Sequence, residues 1–252
     1  MPSTTSVAFG SGVLIATPSG ANATPVQFGA LQDVTLDFSF SSKQLFGQYQ
    51  FPIAFARGEG KISGKAKFAN IDGPLYNSCF FGQTLAAGQK LWSYNEAGAV
   101  ASSSPYTYAT ANASAFDADL GVVYASSGLA LTRVATAPAV GQYTLAAGVY
   151  TFNSGDSGKA ILVSYSYTQT AAGSGTRAVL SNKLMGAAPT FQIDFYQSNA
   201  NATAGQWSLR LYNCVSTKLT VATKIQDFGI PELDFEAFAN AANNLGEINT
   251  AI

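Results

Sequence analysis

The stretch from Leu31 to Phe68, LQDVTLDFSFSSKQLFGQYQFPIAFARGEGKISGKAKF, constrains the fold more than any other. In its first arm Val34, Leu36, Phe38 and Phe40 alternate with Asp33, Thr35, Asp37 and Ser39, the period of two expected of a half-buried strand. The last arm repeats the pattern, with Ile62, Gly64, Ala66 and Phe68 set against Lys61, Ser63, Lys65 and Lys67. Two such arms predict a sheet with one apolar and one charged face, where a row of ammonium groups lies beside a row of carboxylates. Between the arms Gly47, Pro52, Gly58 and Gly60 interrupt the alternation, so an extended loop or a short extra hairpin is expected over residues 40–60.

The flanking segments extend this β reading. Residues 1–30 carry no charged side chain, and the apolar group Phe9, Val13, Leu14 and Ile15 is costly to leave in water, so an arm that docks on a neighbouring molecule is expected there. DGPLYNSCFFG, residues 72–82, reads as a short helix: Asp72 caps, Pro74 suits a first turn, Leu75 and Cys79 are four apart, and Gly82 stops it. Residues 91–182 form a block of short apolar runs and Ser/Ala/Gly turns. Six strands are expected there: Tyr106–Ala109, Gly121–Ala125, Leu129–Val134, Gln142–Leu145, Gly148–Asn153 and Ala160–Thr168. After it, Phe191, Ile193 and Phe195, then Trp207, Leu209 and Leu211, return to strict alternation, and Thr217–Asp227 reads as a separate strand. In Pro231–Asn240, Leu233, Phe235 and Ala237 alternate with Glu232, Asp234 and Glu236; a helical stripe of Phe235, Phe238 and Ala239 is the rival pattern.

Composition narrows the function. Only 11% of the 252 residues are charged and 24 are Gly, which suits a subunit that hides much of its surface in an assembly. Net charge is −1 with no basic block, so counterion release gives no drive for gripping nucleic acid. No run approaches the apolar length of a membrane span, and Gly10 and Gly12 break the short N-terminal apolar run, against a signal peptide. Cys79 and Cys214 are expected to be unpaired, buried apolar residues of a cytosolic chain.

The absence of histidine removes the commonest general base and the usual zinc ligands. Gly60–Lys61 is no phosphate loop, since Phe55 and Ile62 stand where Gly and Ser or Thr are needed. Asp117, Asp119 and Gly121 lack the further oxygen ligands of a calcium loop. No enzyme, metal or cofactor is expected.

Three stretches resemble one known family. The run from Gly29 into GQYQFPIAFARGEGKISGKAKFA, the segment Gly148–Thr168 and the segment Leu209–Ile248 are similar to bacteriophage major tail tube proteins. The resemblance implies a mainly β, antiparallel sandwich or barrel-like subunit with one flanking helix, which stacks as hexameric rings into a tube that conducts DNA. Residues 31–90 and 183–252 would form the tube domain, and 91–182 a β-rich insertion on its outside. Implied partners are identical subunits and tape-measure, tail-terminator and tail-tip proteins, within a virion tail assembled in the host bacterial cytoplasm.

On this reading Asp33, Asp37, Lys61, Lys65, Lys67, Glu232, Asp234 and Glu236 line the lumen: five acids against three bases, a net charge of −2. Carboxylates repel phosphate, and lysines across the strands offset their mutual repulsion. Phe9, Val13, Leu14, Ile15, Tyr49 and Phe51 are the expected contacts between rings. The alternative is a virion decoration or adhesin protein whose β-sandwich binds a glycan through the aromatic-rich middle block.

Overall fold

The computed structural model describes residues 10–20, 23–70, 73–171, 174–197, 207–223 and 225–250. In chain order the strands are β1 (Val13–Pro18), β2 (Val26–Gln27), β3 (Leu31–Phe46), β4 (Pro52–Phe68), β5 (Leu85–Ala87), β6 (Gln89–Ala99), β7 (Thr107–Ala109), β8 (Phe116–Tyr124) and β9 (Thr132–Arg133). They continue as β10 (Gln142–Ala146), β11 (Val149–Phe152), β12 (Ala160–Gln169), β13 (Thr176–Ala178), β14 (Thr190–Gln197), β15 (Trp207–Thr220), β16 (Glu232–Ala237) and β17 (Gly246–Thr250). One short helix, α1 (Gly73–Tyr76), runs into a π turn over Asn77–Phe81. The protein is therefore mainly β, and its sheets are antiparallel apart from the two-residue pairing of β9 with β10.

Two compact units divide the chain, Met1–Gln83 with Leu180–Ile252, and Thr84–Val179. In the first, the strand order is β2-β1-β14-β15-β16-β4-β3, with β17 also pairing β15. Alternation puts Leu14, Phe68, Ile193, Phe195, Leu209, Leu233 and Phe235 on the same side of this sheet, where they form the core with Phe28 and Leu75. The sheet curls without closing: Ser11, just before β1, donates to the carbonyl of Leu31 at the start of β3.

Two expectations need correction here, and a third is resolved between its alternatives. Residues 10–20 and 23–30 belong to the subunit's own fold, not to a docking arm. The run Val13–Ala16 also alternates, so once β14 supplies hydrogen bonds, Leu14 and Ala16 enter the core as a strand of the same sheet. Of the two alternatives for residues 40–60 the hairpin is realised: Gly58 and Gly60 lie within β4, and β3 and β4 continue to a tip at residues 47–51 that includes Gly47. Gly60 gives the Phe40 ring room above it, as a side chain could not. Thr217 is no separate strand start: β15 runs unbroken from Trp207 to Thr220, and residues 221–223 and 225–230 are irregular.

The helix is shorter and looser than its sequence suggests. Leu75, Tyr76 and Cys79 are buried against the sheet, and Gly82 ends the turn in left-handed backbone, its N–H donating to the carbonyl of Asn77. Asp72, the expected cap, lies outside the described residues. Cys79 and Cys214 are free and fully buried, and burial pushes each thiol up to about 12.

The second unit has its own core. A sheet ordered β6-β12-β8 packs on one ordered β7-β11-β10-β9 through Val122, Ile161, Val163 and Tyr165 facing Tyr143, Tyr150 and Phe152. Strand β6 was not among the expected strands, and residues 84–90 belong with this unit. Large tyrosines fill the core only because their hydroxyls find carboxylates. Glu96 accepts from Tyr165 at 2.6 Å and Tyr108 at 2.7 Å; Asp119 accepts from Tyr143 at 2.8 Å and Tyr150 at 2.9 Å; Asp156 accepts from Tyr124 at 2.6 Å. Burial pushes the Glu96 and Asp156 carboxyls up, but these donors, backbone N–H groups and, at Asp156, Lys159 outweigh it, so both lie below the usual range.

Candidate functional site

The charged face of the first unit is built by strand register. Across β16, β4 and β3 one rung holds Glu232, Lys67 and Asp33, the next Asp234, Lys65 and Thr35, and the next Glu236, Ser63 and Asp37; Lys61 and Ser39 follow. All eight side chains singled out as lumen-facing thus share one face, averted from the core. Since β4 lies between two acidic strands, its lysines reach acids on either side: Lys61 meets Glu236 at 2.7 Å, Lys65 meets Glu232 at 2.9 Å, and Lys67 meets Asp33 at 3.5 Å. Lys65 also stands 3.7 Å from Asp234, too far for a hydrogen bond. The Lys65 hydrogen bond holds the Glu232 carboxyl below its ordinary range and raises the Lys65 ammonium above its own.

Sequence reasoning missed four further members. Lys218 faces Asp234 across β15 and β16, next to a β-bulge that breaks the period of two and hides its side from pattern reading. On the same face Arg210 reaches Asp194 at 2.6 Å and Glu247 at 3.5 Å, joining β15 to β14 and β17. Alternation already placed Asp194 and Arg210 on the polar sides of their strands; Glu247 had no signal because β17 is short. With these the face carries seven acids and five bases, still a net charge of −2, in a chain with 14 acids altogether.

Magnitude decides what such a face is for. The three lysines of β4 keep 41–55% of their side-chain surface, and ion pairs that exposed contribute only about 0–1 kcal/mol each. Stability alone does not account for the array. Its distinctive property is a field: paired charges that leave an excess of fixed carboxylate on one surface.

The second element is the distal hairpin. Beyond Ile62 strand β4 no longer pairs with β16, so β3 and β4 continue as a two-stranded ribbon. It exposes Phe40, Leu45, Phe46, Tyr49, Phe51, Ile53 and Phe55, with Phe51 reaching 79%. Arg57 covers one face of the Phe40 ring at 4.8 Å. Of the expected inter-ring residues, Tyr49 and Phe51 sit at this tip. Val13 is exposed and Ile15 half-buried on β1, and Phe9 lies outside the described residues. Leu14 must be withdrawn as a contact, because its side chain is wholly inside the core.

The acidic pair considered for cation binding has other work. Both oxygens of Asp117 accept from Lys90 at 2.6 Å, and Asp119 is held by two tyrosines and Arg133. Among the described residues no group of three His, Cys, Asp or Glu side chains is placed to hold a metal ion. Comparison of the sequence with protein-family models and with curated proteins finds no match.

Proposed function

We propose that this chain is the major subunit of a bacteriophage tail tube, polymerising as stacked rings around a channel for DNA. The observation that carries the reading is the hairpin ribbon: an isolated two-stranded ribbon is at best marginal in water, and this one presents seven large apolar side chains to solvent. A second copy would cover them. Strand β3 is also the last strand of its sheet, with no strand partner on its outer edge among the described residues. Such an edge invites pairing with a neighbour. The charged face suits a bore, since its excess carboxylate repels phosphate while the lysines keep copies from repelling one another.

Electron microscopy of the purified chain tests this. Stacked rings or tubes support it, and discrete monomers at every concentration tried overturn it. Tape-measure, tail-terminator and tail-tip proteins would be the partners at the bore and the ends.

A further inference from the structure

We propose that the core-averted face of the β6-β12-β8 sheet binds a neutral, unbranched saccharide chain, with Trp92 and Tyr94 stacking on successive sugar rings. The two residues are i and i+2 on β6, so their rings stand on one side roughly 7 Å apart along the strand. Trp92 is 74% exposed and Tyr94 82%. That contrasts with the rest of the unit, where Tyr143, Tyr150 and Tyr165 are buried with their hydroxyls held by carboxylates. An aromatic pair left bare in a fold that otherwise hides its tyrosines is available to an outside ligand.

Three features of the same face select the ligand. Ser166 lies opposite Trp92 on β12 and donates to Asp117 at 3.0 Å, while Lys90 holds both oxygens of that carboxylate. Lys90 and Asp117, both partly exposed, offer donors and acceptors beside the rings, as sugar hydroxyls require, whereas Ser166 is buried and braces the aspartate from behind. The lysine and the aspartate are paired with each other, so neither is free to select an acidic or basic ligand. Finally, β6 carries a bulge beside Tyr94, with Asn95 in left-handed backbone and its N–H donating to Ser164. A bulged edge resists extension by another strand, so the ligand stacks on the face and does not lengthen the sheet.

The test is an isothermal titration calorimetry experiment on the full chain with cellopentaose and with chitopentaose, reading a saturable change in heat. Saturable binding of either sugar is expected, weakened about tenfold by Trp92→Ala and less by Trp92→Phe, with unchanged circular dichroism in both variants. The proposal is overturned if neither sugar gives a saturable change, or if Trp92→Ala binds as well as the parent. It is equally overturned if Trp92→Ala abolishes self-association while sugars have no effect, because the face would then be a protein interface. None of these readouts depends on tube formation.

Discussion

Gly64 lies directly opposite Phe235 across β4 and β16, and the Phe235 ring covers the glycine so closely that a methyl group there would stand 2.2 Å from it. The glycine is thus the floor on which a core aromatic rests, between the rungs of Ser63 and Lys65. Gly64→Ala is expected to destabilise the chain by roughly 1–3 kcal/mol through overcrowding. In the background Phe235→Leu the same change should cost less, and urea unfolding of the four-member cycle measures the difference. Equal costs in both backgrounds would show that the ring is not the obstacle.

Leu14 and Val13 are neighbours on β1 with opposite fates, one wholly buried and the other 36% exposed. Leu14→Ala should lose about 2–5 kcal/mol, and Val13→Ala no more than about 0.5 kcal/mol. Denaturant midpoints of the two variants are the check. Parity between them would remove β1 from the core.

At the hairpin tip, replacing Tyr49 and Phe51 together by Ser is expected to leave the unfolding midpoint nearly unchanged, because neither side chain packs inside the subunit. Polymer yield, counted in micrographs or by pelleting, should collapse. Tubes formed at the parent's yield would release the tip from any role in assembly.

Glu96 gathers four donors, Tyr165, Tyr108, Ser93 and the N–H of Ala111. Glu96→Gln should cost about 1 kcal/mol at neutral pH, since an amide group then confronts a tyrosine hydroxyl with one acceptor lost. The Glu96 carboxyl is depressed in the folded state, so its contribution is complete above the unfolded value of about 4.3 and fades as pH falls through the folded one. The gap between parent and variant midpoints should therefore narrow on acidification. A gap that widened would contradict the sign.

The thiols of Cys79 and Cys214 are both buried and shifted upward by that burial. Ellman's reagent at about pH 8 should label neither in the native chain and both in denaturant. Rapid labelling of the native chain would place at least one thiol at the surface.

Much of this architecture was legible in the sequence where a strand alternates without interruption. Leu31–Phe40 and Ile62–Phe68 put Asp33, Lys65 and Lys67 on the charged face, and Glu232 to Ala237 chose strand over helix because its acids alternate singly. What escaped the sequence was governed by register and by distance along the chain. Lys218 follows a bulge, β17 is five residues long, and β6 hides its period behind the bulge at Tyr94 and Asn95. Leu14 was misplaced for a different reason: hydrophobicity says that a residue wants cover, and only its partner strand, nearly two hundred residues away, says whose cover it takes.

The outer border of β3 has one further consequence. Its pairing with β4 shifts register after Leu31, Phe40 and Leu45, and bulges of this kind bend the ribbon and with it the row of amide and carbonyl groups on that border. A stray extended peptide can match only a few such groups at a time, whereas a mate shaped with the same kinks could zip along the whole length. In the proposed assembly this bend would favour a matching copy over a stray strand.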